Sequence, residues 1–280
     1  MQTSADNIYF VKIMGEFKET VKVKSIKDGN EFELEKRILK KLVKRKNIGK
    51  WSDEWDGYYV IYLYNVEKGK ASLIPISEIE TQFPLTYKYF KHYENELKSR
   101  ESNRFQNEEN WHRYIYCKNL EKFEQTKIMT QVLSSHNVFA FDNDGNYYFV
   151  GSGNGGGDSI VLKDEYKDLY YYILALLNSN VLEFYFKNIT TPFRREDFSY
   201  GKRFIKNLPI TICKNPELNA IITLSKEQVS ISTKFQNLRN TDERNLLEKG
   251  LDKNEAKLNQ LVYQIYGHNK SETGVLEGKL

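Results

Sequence analysis

The hydrophobic and polar positions of the chain follow two periods, one typical of helices and one typical of strands. Residues 33–46 place leucine, isoleucine and valine at helical spacing with basic residues on the opposite face, which predicts an amphipathic helix. Residues 58–64 are a continuous apolar and aromatic run that follows Asp56-Gly57, which predicts a buried strand. The N-terminal part of the chain is therefore predicted to mix both kinds of element.

The middle of the chain carries mainly strand signals. Ser77 and Glu80 form a capping-box pattern, which begins a helical region that extends toward residue 100. Strands are predicted at residues 113–117, 127–133, 139–141 and 147–150. The last two are predicted to pair as a hairpin through the turn at residues 143–146. Most of this region is thus predicted to be antiparallel sheet.

Helical patterns return after the glycine-rich residues 151–157. An aromatic-rich helix pattern begins near residue 166 and breaks at Asn178-Ser179. A basic and aromatic loop, residues 193–203, follows, and a short strand is predicted over residues 204–211. The last helix has one apolar face and stops at Gly267.

Together these elements predict an α+β fold, with mainly antiparallel sheet in the middle of the chain, packed helices and a helical C-terminal part. Residues 1–212 are predicted to form an α/β core and residues 213–268 a helical subregion packed on it. The charged, glycine-containing residues 269–280 are predicted to be a disordered tail.

Composition limits the class of protein. The chain has 280 residues, 40% of them hydrophobic, with 20 Tyr and 16 Phe, which predicts a globular protein with a sizeable core. No apolar run is long enough for a membrane helix and no signal pattern begins the chain, so a cytoplasmic protein is predicted. The two cysteines, Cys117 and Cys213, lack the spacing of a zinc knuckle or a disulfide framework.

The net charge of +4 is unevenly distributed. Residues 36–50 contain eight Lys or Arg and no acid, a cluster that suits phosphate groups but equally suits a solvated helix face. The charge alone therefore permits nucleic-acid binding without requiring it.

No catalytic centre stands out. Residues 149–153 fit FxGxG and the glycines at 151, 153 and 156 fit GxGxxG, but no helix is predicted to open in this segment, as a cofactor-binding motif requires. A flexible turn is favoured, with a close backbone approach to DNA and a cofactor loop as alternatives. The four histidines lack metal-ligand spacing, and the acids near Asp28 and Glu33 are better explained by helix chemistry than by a nuclease site. We predict neither catalytic residues nor a metal site.

Basic and aromatic residues mix in two places, around Trp111 to Tyr116 and in the loop at residues 193–203. Arginine can bind phosphate or the acceptor edge of guanine, and Tyr and Trp can stack. Aromatic residues at strand spacing are more often core, but the position of the second group in a loop favours a contact surface.

Four blocks of sequence resemble the C-terminal target-recognition region of adenine-specific (N6) DNA methyltransferases and type IIG restriction-modification enzymes, the TaqI-like specificity domain. The blocks are Phe32-Glu33-Leu34-Glu35 leading to Ile38-Leu39; Phe83-Pro84-Leu85-Thr86-Tyr87 followed by Leu97-Lys98-Ser99-Arg100; residues 174–179 running to Leu208-Pro209-Ile210; and Leu261-Val262-Tyr263 with Ile265-Tyr266-Gly267. Their order and spacing cover nearly the whole chain.

The resemblance implies a partner for this chain. In that family the specificity region faces a separate catalytic domain, which binds S-adenosylmethionine and methylates a flipped adenine with an Asn-Pro-Pro-Tyr type motif. Here Asn215-Pro216 is followed by Glu217-Leu218, so the motif is absent. The resemblance therefore implies a non-catalytic fragment or split subunit that binds double-stranded DNA, without its own cofactor, beside a methyltransferase domain in cis or in trans.

On this interpretation we expect ten residues to contact DNA: Arg100, Arg104, Trp111, Arg113, Asn154, Arg194, Arg195, Tyr200, Lys202 and Arg203. Two alternatives remain open. The chain could be an S-adenosylmethionine-dependent enzyme that uses residues 149–153, or a protein-interaction module whose basic segment at residues 36–50 docks an acidic partner or the catalytic domain.

Overall fold

A computed structural model describes residues 1–151, 156–193, 196–238 and 240–278 of the chain. The α-helices are α1 (Asp6–Tyr9), α2 (Ile76–Gln82), α3 (Pro84–His92), α4 (Glu94–Asn103), α5 (Tyr170–Leu177), α6 (Asn180–Ile189), α7 (Lys202–Ile205), α8 (Glu217–Asn237), α9 (Thr241–Ile265) and α10 (Lys270–Leu276). The strands are β1 (Phe10–Glu16), β2 (Thr20–Ser25), β3 (Glu31–Glu35), β4 (Leu39–Leu42), β5 (Tyr58–Ile61), β6 (Tyr64–Glu67), β7 (Lys70–Leu73), β8 (Lys127–Gln131), β9 (Leu133–Ser134), β10 (Phe139–Asp142), β11 (Tyr147–Tyr148), β12 (Gly157–Ile160), β13 (Pro192–Phe193) and β14 (Asp197–Ser199). The predicted α+β class is confirmed. Within the described ranges, every helix is too short or too polar to cross a membrane.

Two compact units divide the chain, and each is assembled from separate segments. Unit 1 comprises Met1–Val43, Trp55–Gln125 and Asp144–Gly151, and unit 2 comprises Lys44–Glu54, Thr126–Asn143 and Ser152–Leu280. The domain boundaries predicted from the sequence stay a prediction.

Helix α10 lies within the segment that the sequence predicts to be a tail. Its first turn is capped by Asn269, whose side chain accepts hydrogen bonds from the backbone N–H groups of Ser271 and Glu272. Such a cap satisfies donors that have no partner inside the helix.

Unit 1 is built on a sheet with the strand order β11-β4-β5-β1-β2-β3. Strands β1, β2 and β3 form an antiparallel meander, and β2 alternates buried Val21 and Val23 with exposed Lys22 and Lys24. This alternation is expected of a strand with one buried face.

Helix α3 is held against β3 by one carboxylate. Both oxygens of Glu35 accept hydrogen bonds from the first turn of α3, at 2.8 Å from Leu85 N and 2.9 Å from Thr86 N. An acid at this place also complements the positive end of the helix dipole. The ring of Phe32 packs edge-to-face on Tyr89, with centroids 4.8 Å apart.

The prediction of a helix over residues 33–46 is wrong. This segment contains β3, a 3-10 helix at Lys36–Ile38, β4 and a second 3-10 helix at Arg45–Asn47. Strands β2 and β5 supply the backbone hydrogen-bond partners for β3 and β4, so sheet pairing outweighs the helical spacing. The basic residues of this segment therefore do not share one helix face, which removes the basis for a docking helix.

The hairpin predicted across residues 143–146 is also wrong. Strand β10 pairs antiparallel with β8, whereas β11 pairs parallel with β4 in the sheet of unit 1. The turn therefore connects two sheets. Gly145 has φ +65°, and a Cβ atom there would lie 2.3 Å from the Glu124 carbonyl oxygen, so only glycine fits this turn.

Two further predicted strands do not form. In residues 113–117, Tyr116 makes only an isolated bridge to Gln2, and Tyr114 is fixed instead by hydrogen bonds between its backbone N–H and the Tyr64 hydroxyl and between its own hydroxyl and the Ile61 carbonyl. The segment at residues 204–211 begins inside helix α7 and continues without a strand, because Gly201 O accepts from Phe204 N and begins a helical turn.

The strand predicted at residues 127–133 is confirmed and belongs to unit 2, where the strand order is β10-β8-β12. Helices α5, α6, α8 and α9 share its apolar core, which includes Leu174, Phe186 and Val262. The predicted break at Asn178-Ser179 is confirmed. The Asn178 side chain exchanges two hydrogen bonds with the Phe139 backbone, and the Ser179 hydroxyl caps α6 by accepting from Leu182 N.

Candidate nucleic-acid interface

Several chain segments of unit 2 meet where β8 passes into β9. The Val132 N–H donates to the Gly156 carbonyl at 3.3 Å, and the Val132 carbonyl accepts from Tyr200 N at 2.8 Å. The end of the glycine-rich segment and the start of the Gly201-Lys202 turn are therefore fixed on the same residue. The next residues, Gly157 and Gln131, pair in the β12–β8 ladder.

Arg45 is held at this junction by two side chains. Its Nη2 donates to Asp197 Oδ2 at 2.8 Å and its Nε donates to Gln131 Oε1 at 3.3 Å. The Gln131 side chain is itself fixed, because its Nε2 donates to the Ile48 carbonyl at 2.7 Å. The Arg45 and Asp197 side chains are each 31% exposed, so the pair is accessible from solvent.

Lys202 and Arg203 lie in the first turn of α7 and are exposed. The Arg203 guanidinium carbon lies 4.4 Å from the centre of the Phe204 ring, which orients its side chain. Near Lys202, burial raises the pKa of the Asp158 carboxyl, whereas the Ser159 N–H and the charge of Lys202 oppose that rise. We define Arg45, Lys202 and Arg203 as the junction face.

Tyr200 lies in the core next to the Gly201-Lys202 turn. Its side chain is fully buried, its hydroxyl donates to Asn137 Oδ1 at 2.8 Å, and its ring stacks on Phe186 with centroids 4.2 Å apart. Burial raises the pKa of the Tyr200 hydroxyl. The structure therefore places Tyr200 in the core, where it does not reach a ligand on the surface.

Arg100, in unit 1, is also buried. Its guanidinium donates to the carbonyls of Thr3 at 2.5 Å, Trp111 at 2.6 Å and Arg113 at 3.0 Å, and its Nε donates to Leu97 O at 2.9 Å. Helical backbone ends at Arg100, since the next three residues have φ between 50° and 66°. Arg100 therefore holds together the chain around it and is not part of an exposed surface, while the DNA contact expected of it stays a prediction.

The other predicted residues of unit 1 differ in exposure. Trp111 is buried, with Lys98 Nζ 5.7 Å from its ring centre. Arg113 is half-buried and pairs with Glu108 at 3.1 Å. Arg104 is exposed beside the Phe105 ring. Of these three residues, Arg104 is the most accessible to a ligand.

Three predicted contact residues, Asn154, Arg194 and Arg195, lie outside the described residues. The same is true of Ser152 and Gly153 in the FxGxG match. The described residues on either side of the match still define its setting. Gly157 begins an antiparallel strand, β12, and no helix begins in residues 156–163, which precede the 3-10 helix at Asp164–Leu169. A cofactor loop of the predicted kind would open a helix in the motif, so this setting does not fit one.

Sequence reasoning missed Arg45 as an individual site residue. The signal was present as the basic run at residues 36–50, but a helical interpretation gave all its cations the same environment. In the structure, Lys40 and Lys41 belong to strand β4, which pairs with β5 in unit 1, whereas Arg45 belongs to unit 2. Within the described ranges, no group of three or more His, Cys, Asp or Glu residues could hold a metal ion.

Residues 40–210 match the family model described as the TaqI-like C-terminal specificity domain. Because this match spans more than half of the chain, the protein belongs to that family, which confirms the resemblance found in the sequence. The chain is also similar to a protein of Escherichia coli named "Type II restriction enzyme and methyltransferase RM.Eco57I". The two are 23% identical over 256 residues, which cover 85% of this chain and 25% of that protein. The chain thus spans about a quarter of the length of this relative.

Proposed function

We propose that this chain is the DNA-recognition part of a restriction-modification enzyme and that it binds double-stranded DNA through the junction face. The observation that carries the proposal is the convergence of Arg45, Lys202 and Arg203 on one backbone junction of unit 2, in a chain of the specificity-domain family. The name of the Escherichia coli relative supports the same class of enzyme.

The chemistry of the face suits a duplex. Exposed Lys202 and Arg203 can neutralise phosphates, which supplies affinity that does not depend on sequence. Asp158 places an acceptor near Lys202, and Asp197 places one beside Arg45. Paired donors and acceptors are the groups that distinguish base edges in the major groove.

The parent enzyme is, on this proposal, an adenine-specific N6 methyltransferase of the type IIG class, located in the cytoplasm. Its catalytic domain, in cis or in trans, would bind S-adenosylmethionine, and this chain would contribute recognition without catalysis. Calorimetry of the 280-residue chain with S-adenosylmethionine tests the last point. Saturable heat would favour the alternative that the chain itself is a cofactor-dependent enzyme.

The main test compares duplex binding by the chain and by the double variant Lys202→Ala/Arg203→Ala, using fluorescence anisotropy over a range of salt concentrations. We expect weaker binding to every duplex and a salt slope that is smaller by about 1 for each lost phosphate contact. The matched control is Lys234→Ala/Lys257→Ala, which removes two exposed lysines from α8 and α9 of the same unit.

Equal losses in the two double variants would mean that only net charge matters, and the junction face would not be the interface. If the unmodified chain binds no duplex even at low salt, the proposal of DNA recognition by this chain fails.

A further inference from the structure

We propose that Arg45 recognises a guanine base of the bound duplex and that Asp197 and Gln131 position its guanidinium for this contact. This inference rests on the proposed function, since it names the residue of the junction face that distinguishes one sequence from another.

The hydrogen bonds of Arg45 leave one edge of its guanidinium available. The group has five N–H donors. Nε uses its donor on Gln131, and Nη2 uses one on Asp197. Among the described residues, no acceptor takes the two donors of Nη1 or the second donor of Nη2. These lie on the end of the guanidinium, where two parallel N–H groups match the O6 and N7 acceptors of guanine.

The same contacts fix the orientation of Arg45 before any ligand binds. Gln131 is anchored to the Ile48 carbonyl, and Asp197 is part of β14, which pairs with β9 through Phe198 and Ser134. A long side chain that is already held in one orientation loses less conformational freedom when it binds. At 31% exposure the Arg45 side chain remains accessible.

The pairing with Asp197 favours a base contact over a phosphate contact. The pair is close to neutral as a whole, so it gains little from phosphate neutralisation, and the Asp197 carboxylate would repel a phosphate placed beside it. Lys202 and Arg203 carry no such ion pair among the described residues and suit the phosphates better. Arg45 should therefore contribute to specificity more than to affinity.

The test is selection of bound duplexes from a random-sequence pool by the 280-residue chain and by Arg45→Lys, Asp197→Asn and Lys202→Ala. Arg45→Lys keeps the charge but loses the two parallel donors. We expect it to reduce the preference for guanine at one position of the selected sequence by roughly tenfold to a hundredfold. Asp197→Asn should weaken the preference at the same position by a smaller factor. Lys202→Ala should lower binding to all sequences and leave the preference unchanged.

A purely structural role for Arg45 would change stability without changing the selected sequence. Thermal unfolding first checks that Arg45→Lys is folded. If the folded variant selects the same guanine with the same preference, the inference is overturned, although the proposed function would stand. If Arg45→Lys does not fold, Asp197→Asn decides, and an unchanged preference overturns the inference. Failure of the unmodified chain to bind any duplex would instead overturn the proposed function, and this inference with it.

Discussion

Arg100 in unit 1 and Arg45 in unit 2 are both held by several hydrogen bonds, but their partners and their exposure differ. Arg100 is buried, and its guanidinium donates to four backbone carbonyls. Arg45 is partly exposed, and its partners are the side chains of Asp197 and Gln131. The sequence places Arg45 in the basic run at residues 36–50 and Arg100 at the end of a helical pattern, and neither setting shows which arginine serves the fold.

The difference shows how a guanidinium can serve a fold or a ligand. Backbone carbonyls take four of the five donors of Arg100 and join Thr3, Leu97, Trp111 and Arg113, and the group is buried. The two side chains around Arg45 orient the group and leave donors at its end. Three predictions test this contrast.

The largest effect should come from Arg100→Met. Removing the guanidinium leaves four carbonyls in a buried region without their donor, and we expect a loss of about 3–5 kcal/mol in the free energy of unfolding. Denaturant unfolding measures this loss. Arg104→Met, which changes the exposed neighbour, is the matched control and should cost less than about 0.5 kcal/mol. Equal stability of the two variants would contradict the structural role of Arg100.

An intermediate effect should follow from pH, through a histidine beside Arg100. His112 is buried, its Nε2 lies 2.9 Å from the Ile74 carbonyl, and its Nδ1 has no hydrogen-bond partner among the described residues. Burial is the largest cause that lowers the pKa of His112 below its usual 6.5; the hydrogen bond to the Ile74 carbonyl opposes it, and the charge of Arg100 adds to the lowering. Since the folded state favours the neutral ring, this stability is present above pH 6.5 and is lost as the pH falls through the lowered pKa.

Thermal unfolding of the chain and of His112→Gln between pH 8 and pH 5 measures the effect. The unmodified chain should lose more stability on acidification than the variant does. His136→Gln serves as the control, because it changes an exposed histidine. This variant should keep the pH dependence of stability of the unmodified chain. Parallel curves for the chain and His112→Gln would show that His112 does not contribute.

The smallest effect should come from Arg45→Met. The pair with Asp197 is partly exposed and screened by solvent, so its loss should cost less than about 1 kcal/mol of unfolding free energy. Denaturant unfolding beside Arg100→Met gives a direct comparison. A cost as large as that of Arg100→Met would place Arg45 in the fold rather than on a binding surface, and would break the contrast between the two units.

Elements with a strong local signal were predictable from the sequence. The break between α5 and α6 follows from Asn178-Ser179, because Ser179 is a good N-cap and Asn178 prefers backbone partners to the helix interior. Helix α9 and its end before Gly267, which has φ +73°, followed from periodicity and from the conformational freedom of glycine. Strand β5 was predicted correctly because it begins a continuous apolar run, and β8 lies within the strand predicted at residues 127–133.

Elements that depend on a distant partner were not predictable. Residues 36–42 resemble a helix locally, but β5 lies beside them and pairs with β4. The turn at residues 143–146 resembles a hairpin, yet the strands before and after it pair with β8 and with β4. In both cases backbone hydrogen bonds between distant segments outweigh the local preference.

By itself, the sequence determined the α+β class, the family, and the presence of basic residues suited to a polyanion, because these depend on composition, periodicity and local motifs. Only the tertiary structure decided which cations serve the fold and which remain accessible. That choice depends on partners such as Asp197 for Arg45 and the Thr3 carbonyl for Arg100, which lie 152 and 97 positions away along the chain. Burial and hydrogen bonding at such separations arise only when the chain has folded.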